Sequence, residues 1–315
     1  MSEIVVTISH AAFGNHLKRV LSLLQPILTV SDDFTLTVDL TRLTFISPAC
    51  LAALTAAVEL ARRRPLFRGG RILRPRARQL ERYLERFDFY NLLGMKVDEH
   101  FERRSPEGRF LEMARVENAS DGERVSSQLV DVLTRPERGL TLGDAEEPLL
   151  RDMLWYSLVE ITNNVFDHAL APFGGIACAQ TLPRSHAIEV CVVDCGIGIR
   201  KSLARVPQYR PLTPAEALQA AVKKGVTSRP QIQTGEGLYW LCRILEENHG
   251  VLRLVSDNCV MIATAGQTRV EECVSWPGTL VSMRFDYSRP IALARLFGEA
   301  TAEQLGMDVE ELFVE

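Results

Sequence analysis

Four side chains with chemical potential fall along one stretch of this sequence. Between Leu154 and Ala169, the residues Leu154, Leu158, Ile161 and Val165 recur at helical spacing with no Gly or Pro among them, which predicts a helix. Glu160, Asn164, Asp167 and His168 stand at i, i+4, i+7 and i+8 on it and share one face. An Asn side-chain oxygen is a hard ligand of the kind Mg2+ takes, with most other positions left to water. A Glu one turn away, reaching the same ion through water, could accept a proton from an attacking water or hydroxyl. An ordinary solvated helix face has the same pattern, and the stripe alone leaves both readings open.

Two later fragments add to it. The β-rich run Ala187 to Val193 ends in Asp194-Cys195-Gly196-Ile197-Gly198. Gly196 and Gly198 let a flat base approach the backbone, and Asp194 could accept a hydrogen bond from an exocyclic amine such as that of adenine. Thr234-Gly235-Glu236-Gly237-Leu238 then opens an apolar helical run to about Glu247. Glycines at a helix start leave N–H groups free for phosphate. Gly-x-Gly alone is ordinary turn chemistry; the three fragments in this order are the stronger signal. The polar segment Val226 to Gln233 has the composition of a lid. Thr227, Ser228 and Arg229 could reach phosphates from it, with Lys223 and Lys224 nearby; a surface loop without a ligand is equally open.

Together the fragments resemble the GHKL ATPase superfamily, over roughly residues 110–287. The resemblance implies an ATP–Mg2+ site. Glu160 would be the general base, Asn164 the Mg2+ ligand and Asp194 the contact to the adenine amine, with Gly196 and Gly198 beside it. Gly235, Gly237 and Leu238 would line the phosphates. Thr279, in the Gly278-Thr279 pair that opens Leu280 to Phe285, would hold the adenine side. Asp167 and His168 join the candidate cofactor-binding set by sharing the helix face. Tyr239 stands where the histidine-kinase form has a further Gly, and no His-containing dimerisation helix precedes the segment. The form is closer to the anti-sigma serine kinases. The function implied is an ATPase or a serine/threonine protein kinase acting on a regulatory protein partner; a homodimer is also compatible. A non-catalytic, ATP-gated interaction module is the alternative.

These residues need a scaffold. The chain has 315 residues, 46% of them hydrophobic and 24% charged, with a formal net charge of −4. That is an ordinary globular composition with no global pull toward nucleic acid or membrane. No apolar run approaches a membrane span and Met1-Ser2-Glu3-Ile4 is no signal peptide, so a cytoplasmic protein is expected. The seven cysteines form no Cys-x-x-Cys pair and are expected to be reduced and buried. Cys195 is the exception: with Asp194 and Gly196 in the site, its thiol should lie near the nucleotide.

Residues 1–97 alternate strands (Ile4 to Ile8, Phe34 to Leu40, Arg71 to Leu73) with helices (His16 to Leu24, Pro48 to Arg63, Arg76 to Phe87), which favours an α/β domain. Val38 to Leu51 resembles a STAS domain, the fold of anti-sigma factor antagonists. The resemblance implies a docking or regulatory module. The family's phosphorylatable Ser falls on Ala49, which carries no hydroxyl. Ser47, before Pro48, is read as a helix cap in preference to an alternative hydroxyl acceptor. Arg62 to Arg86 holds ten arginines against two glutamates. A solvated, locally paired face is favoured over an acidic or nucleic-acid partner, and a nucleic-acid-stimulated ATPase ranks last of the three functions.

The fold expected is therefore α/β (α+β). A STAS-like α/β domain (1–97) and a linker (98–108) precede a GHKL-type two-layer α/β sandwich (109–290) with helices on one face of a mixed, mainly antiparallel sheet. A helical tail (291–315) follows. Four short strands are expected after Val251: Leu252 to Leu254, Cys259 to Ile262, Arg269 to Glu271 and Leu280 to Met283.

Overall fold

The computed structural model describes residues 2–12, 14–99, 101–103, 105, 106, 108–135, 140, 147–167, 171–231, 234–291 and 296, with the backbone alone at 147 and 167. His168, the side chain of Asp167 and nearly all of the expected tail lie outside the described residues.

The first part of the chain runs β1 (Ser2–Thr7), β2 (His10–Ala12), α1 (Leu17–Thr29), β3 (Phe34–Asp39), β4 (Leu43–Ile46), α2 (Pro48–Arg62), β5 (Phe67–Leu73), α3 (Arg78–Arg86) and α4 (Phe89–Leu92). β1, β3 and β5 form a parallel sheet in the order β1-β3-β5, and β2 pairs with β4 in a second, two-stranded parallel sheet. Parallel neighbours need crossovers, and α1 and α2 supply them. β2 and β4 are too short to show an alternation in the sequence.

The second part runs β6 (Phe110–Val116), α5 (Ala119–Leu133), α6 (Glu147–Asp167), β7 (Gly175–Leu182), β8 (Ala187–Asp194), α7 (Ile199–Leu203), α8 (Pro214–Ala221), α9 (Gly237–Glu247), β9 (Val251–Thr264) and β10 (Gln267–Asp286). Its sheet has the order β6-β7-β8-β10-β9, and every neighbouring pair is antiparallel, so it is not mixed as expected. The four short strands expected after Val251 are two long ones. β10 shifts register between Glu272 and Trp276 and again between Trp276 and Thr279. These bulges carry Pro277 and Gly278 without ending the ladder, so the sequence looks broken where the strand is not.

Both faces of this sheet are covered. On one, α5, α6 and α9 bury Leu129, Leu154, Leu158, Ile161, Val165 and Leu241 with Ile188, Val190 and Val192. On the other, α2 buries Cys50, Leu51 and Leu54 in one cluster with Cys178, Cys191 and Val193. Successive β8 side chains point to opposite faces, and all eight residues of the strand are buried. Helices on one face alone thus describes the 109–290 segment and not the sheet as it stands. Ala52, Ala53, Ala56 and Ala57 let the α2 backbone lie close to its neighbours, and the helix is buried on nearly every side. Its Glu59 is paired with Arg62 (3.3 Å) and with Arg115 of β6 (2.7 Å). Residues on either side of the expected linker therefore share one core.

Ser47 occupies the N-cap position of α2 with extended backbone but makes no side-chain cap bond, contrary to the expected role. It is buried, and its hydroxyl sits against the Cys50 thiol. The described cysteines are free. Burial pushes the Cys50 thiol up to about 12 and those of Cys178, Cys191 and Cys195 upward as well, which suppresses the reactive thiolate.

Candidate functional site

One cleft gathers the three sequence fragments. α6 contributes Glu160, Ile161, Asn164 and Val165 to its wall. The end of β8 and the loop after it contribute Val192, Asp194, Ile197 and Gly198. Gly235 and Leu238 come from the start of α9, Thr227 and Ser228 from the segment before it, and Thr279 and Val281 from β10. The empty space, counted out to the mouth, is about 840 Å³.

At the inner end, Asp194 is 5% exposed. Its Oδ1 accepts from the Gly196 N–H at 2.7 Å, and the Thr279 backbone N–H donates to the same carboxylate. Desolvation nevertheless dominates and pushes its pKa up to about 7, against the lowering effect of those two amides. The backbone around it is tied down. The Trp276 indole N–H donates to the Asp194 carbonyl at 3.0 Å. The Ser256 hydroxyl donates to the Gly278 carbonyl and accepts from the Ile199 N–H, both at 2.9 Å. Gly278 has φ +96°, and a Cβ there would fall on Asp194 Oδ1 and the Gly196 nitrogen. Trp276 and Ser256 were not legible as site residues; each is a single residue with no motif of its own. The only hint was Trp276-Pro277-Gly278 immediately before Thr279.

At the outer end, Glu160 is half-buried and fully engaged. It accepts from the Thr234 hydroxyl (2.9 Å), the Gly235 N–H (3.2 Å) and the Gly237 N–H. A carboxylate from α6 thus closes the turn that starts α9. A Cβ on Gly237 would lie 2.7 Å from Glu160 Oε2, so this position needs glycine for close approach. Asn164, one turn along α6, lines the cleft. Its neighbour Asn163 faces α5 instead, where its Oδ1 would meet a Cβ on Gly122 at 3.1 Å. Among the described residues no group of His, Cys, Asp and Glu gathers as a metal-ligand set.

The remaining candidates divide. Gly198 and Leu238 line the cleft. Gly196 and Gly237 stand behind it, as donors to the two carboxylates. Thr227 is buried, and its hydroxyl accepts from the Arg229 N–H. Ser228 shares a hydrogen bond at 3.0 Å with Ser202 of α7, a cleft residue that the sequence did not single out. Lys224 is held by Glu236 at 3.5 Å. The Cys195 thiol turns away from the cleft toward the Ala56 carbonyl of α2, contrary to expectation, because successive backbone positions after β8 face opposite sides of the sheet. His168 and the Asp167 side chain lie outside the described residues.

The arginine-rich stretch is dispersed among separate partners. Arg68 pairs with Asp33 through two bonds of 2.9 Å, Arg74 with Glu81 (3.0 Å) and Arg86 with Glu112. Arg64 donates to the Ile27 and Val30 carbonyls. Among the described residues no helix is long and apolar enough to cross a membrane. No protein-family model matches this chain, and no curated protein matches it.

Proposed function

We propose that the chain is an ATP–Mg2+-binding regulatory protein of the GHKL type, acting as an ATPase or serine/threonine kinase on a partner protein. The observation that carries this reading is the convergence of α6, the end of β8 and the start of α9 on one cleft. Asp194, buried and held by two backbone amides, offers an acceptor to the adenine amine among the apolar walls of Val192, Ile161 and Val281. Asn164 is the side chain available to Mg2+, with phosphate oxygens and water completing the ion's preference for oxygen. When bound, Mg2+ would supply charge neutralisation at the phosphates. Gly235 and the first turn of α9 are where backbone N–H groups meet phosphate.

A second reading is favoured by one specific observation. Both Glu160 oxygens accept hydrogen bonds from the Thr234–Gly237 turn, so the candidate base is engaged by the chain itself. A protein that binds ATP and changes partner affinity without turnover fits that geometry. The N-terminal unit would then influence the partner through surfaces other than α2, which is buried.

ATP binding measured with and without Mg2+ tests the reading. Mg2+ is expected to tighten binding in the wild type, and Asn164→Ala is expected to bind ATP with no response to Mg2+. A wild-type chain that takes up no ATP at millimolar concentration overturns the nucleotide reading. Phosphate release or label transfer to a partner then separates the catalytic form from the gated one.

A further inference from the structure

The first turn of a helix has N–H groups without intrahelical partners and a partial positive charge, so it holds an anion. α9 begins at Gly237, and the residue at its N-cap position, Glu236, makes no side-chain cap bond. Glu236 is buried and committed elsewhere, to the Trp240 indole N–H at 2.9 Å and to Lys224. The anion comes from α6 instead. Glu160 accepts from the Thr234 hydroxyl, the Gly235 N–H and the Gly237 N–H. Of these donors Gly235 lines the cleft itself, so a phosphate seated there would draw on the same turn. The site is fitted to the carboxylate, since Gly237 is where any side chain would meet Glu160 Oε2. Thr234 is exposed and Glu160 only half-buried, so water and ligand reach this contact.

We propose that Glu160 is a resident anion: it occupies the phosphate donors of the Thr234–Gly237 turn when no nucleotide is bound, and leaves them when a phosphate takes its place. This rests on the nucleotide reading of the cleft and adds regulation to it. The same step that seats the phosphate frees the carboxylate beside Asn164. The base therefore becomes available only with a phosphorylated ligand in place, and idle proton abstraction in the empty cleft is suppressed. Two anions compete for one set of donors, so the contact also weakens phosphate binding in the wild type.

The test compares ATP, ADP and adenosine binding to the wild type, Glu160→Gln and Glu160→Ala. Glu160→Ala is expected to bind ATP and ADP about tenfold more tightly than the wild type, the equivalent of one charge-assisted hydrogen bond removed from competition. Glu160→Gln, which keeps an acceptor oxygen and loses the charge, should fall between. Adenosine, which has no phosphate to compete, should bind all three equally. Amide hydrogen exchange gives a readout that simple charge repulsion would not move. The Gly235 and Gly237 amides are expected to be protected in the ligand-free wild type, to exchange faster in ligand-free Glu160→Ala, and to regain protection with ATP. If the wild type binds ATP and Glu160→Ala gains nothing, or adenosine gains as much as ATP, the resident-anion proposal fails while the nucleotide reading stands. If none of the three ligands binds any of the three proteins, both fail together.

Discussion

The two ends of the cleft each present one carboxylate, and the two are held in different ways. Asp194 is buried, accepts from backbone amides of its own loop and of β10, and sits in a frame fixed by Trp276 and Ser256. Glu160 is half-exposed and is held by a turn of the chain that lies 74 to 77 residues away. The first arrangement is a preformed acceptor whose charge is costly where it stands. The second is a contact whose donors can be handed to another anion. On the proposed reading, a site built this way would recognise its ligand at the rigid end and respond to it at the replaceable end.

The largest expected effect lies at Asp194 and depends on pH. The folded chain holds that proton up to about pH 7, whereas an unfolded Asp releases it near 3.8. Between those values the folded state binds more protons than the unfolded one. The contribution of Asp194 to stability is therefore greatest at low pH, falls as pH rises from about 4 to about 7, and is then fully lost. At ~1.4 kcal/mol per unit over the span from 3.8 to about 7, the change is on the order of 4–5 kcal/mol. Urea unfolding at a series of pH values should show the Asp194→Asn variant gaining on the wild type across that window. A constant difference between the two would break the contrast between the ends.

Next in size is Gly278→Ala. The added Cβ meets Asp194 Oδ1 and the Gly196 nitrogen at a φ that side chains disfavour, and a loss of about 2–4 kcal/mol is expected. Gly266 has φ +73° with nothing within 4 Å, so Gly266→Ala should lose only about 1 kcal/mol, the backbone penalty alone. Equal losses in chemical denaturation would mean that crowding at Asp194 is not what Gly278 prevents. Ser256→Ala removes a buried bridge between the Asp194 loop and β10, for about 1–2 kcal/mol. The smallest effect belongs to the outer end. Thr234→Val removes one exposed donor to Glu160, and its unfolding midpoint should move by no more than about 1 kcal/mol.

What the sequence made legible follows the same division between local and distant contacts. The α6 stripe, the glycines after β8 and the α9 start were readable because each is a short pattern with its own periodicity or turn chemistry. The i+4 register from Glu160 to Asn164 points Asn164 into the cleft and leaves Asn163 against α5. The engagement of Glu160 was not readable, since nothing within α6 reports that its partners are Thr234, Gly235 and Gly237. Nor was the second cover on the sheet. An Ala- and Leu-rich helix reads the same whether it packs one layer or two, although the unbroken apolar run of β8 is what two covered faces require. Arg68 and Arg86 looked like parts of one charged stretch because their carboxylate partners, Asp33 and Glu112, are far away in sequence. The bulged course of β10 through Pro277 and Gly278 imitated a strand end and concealed Trp276.

The central claim is that the cleft binds ATP through the Asp194 carboxylate, and calorimetric titration of ATP with Mg2+ into the wild type and Asp194→Asn at pH 8 tests it most directly. With adenine bound as proposed, the carboxylate would face donors with both oxygens, whereas the amide that replaces it would keep one oxygen and turn a donor toward a donor. The account predicts a measurable wild-type affinity that weakens by about a hundredfold or more in the variant. Equal affinities in the two proteins, with both folded, would contradict it.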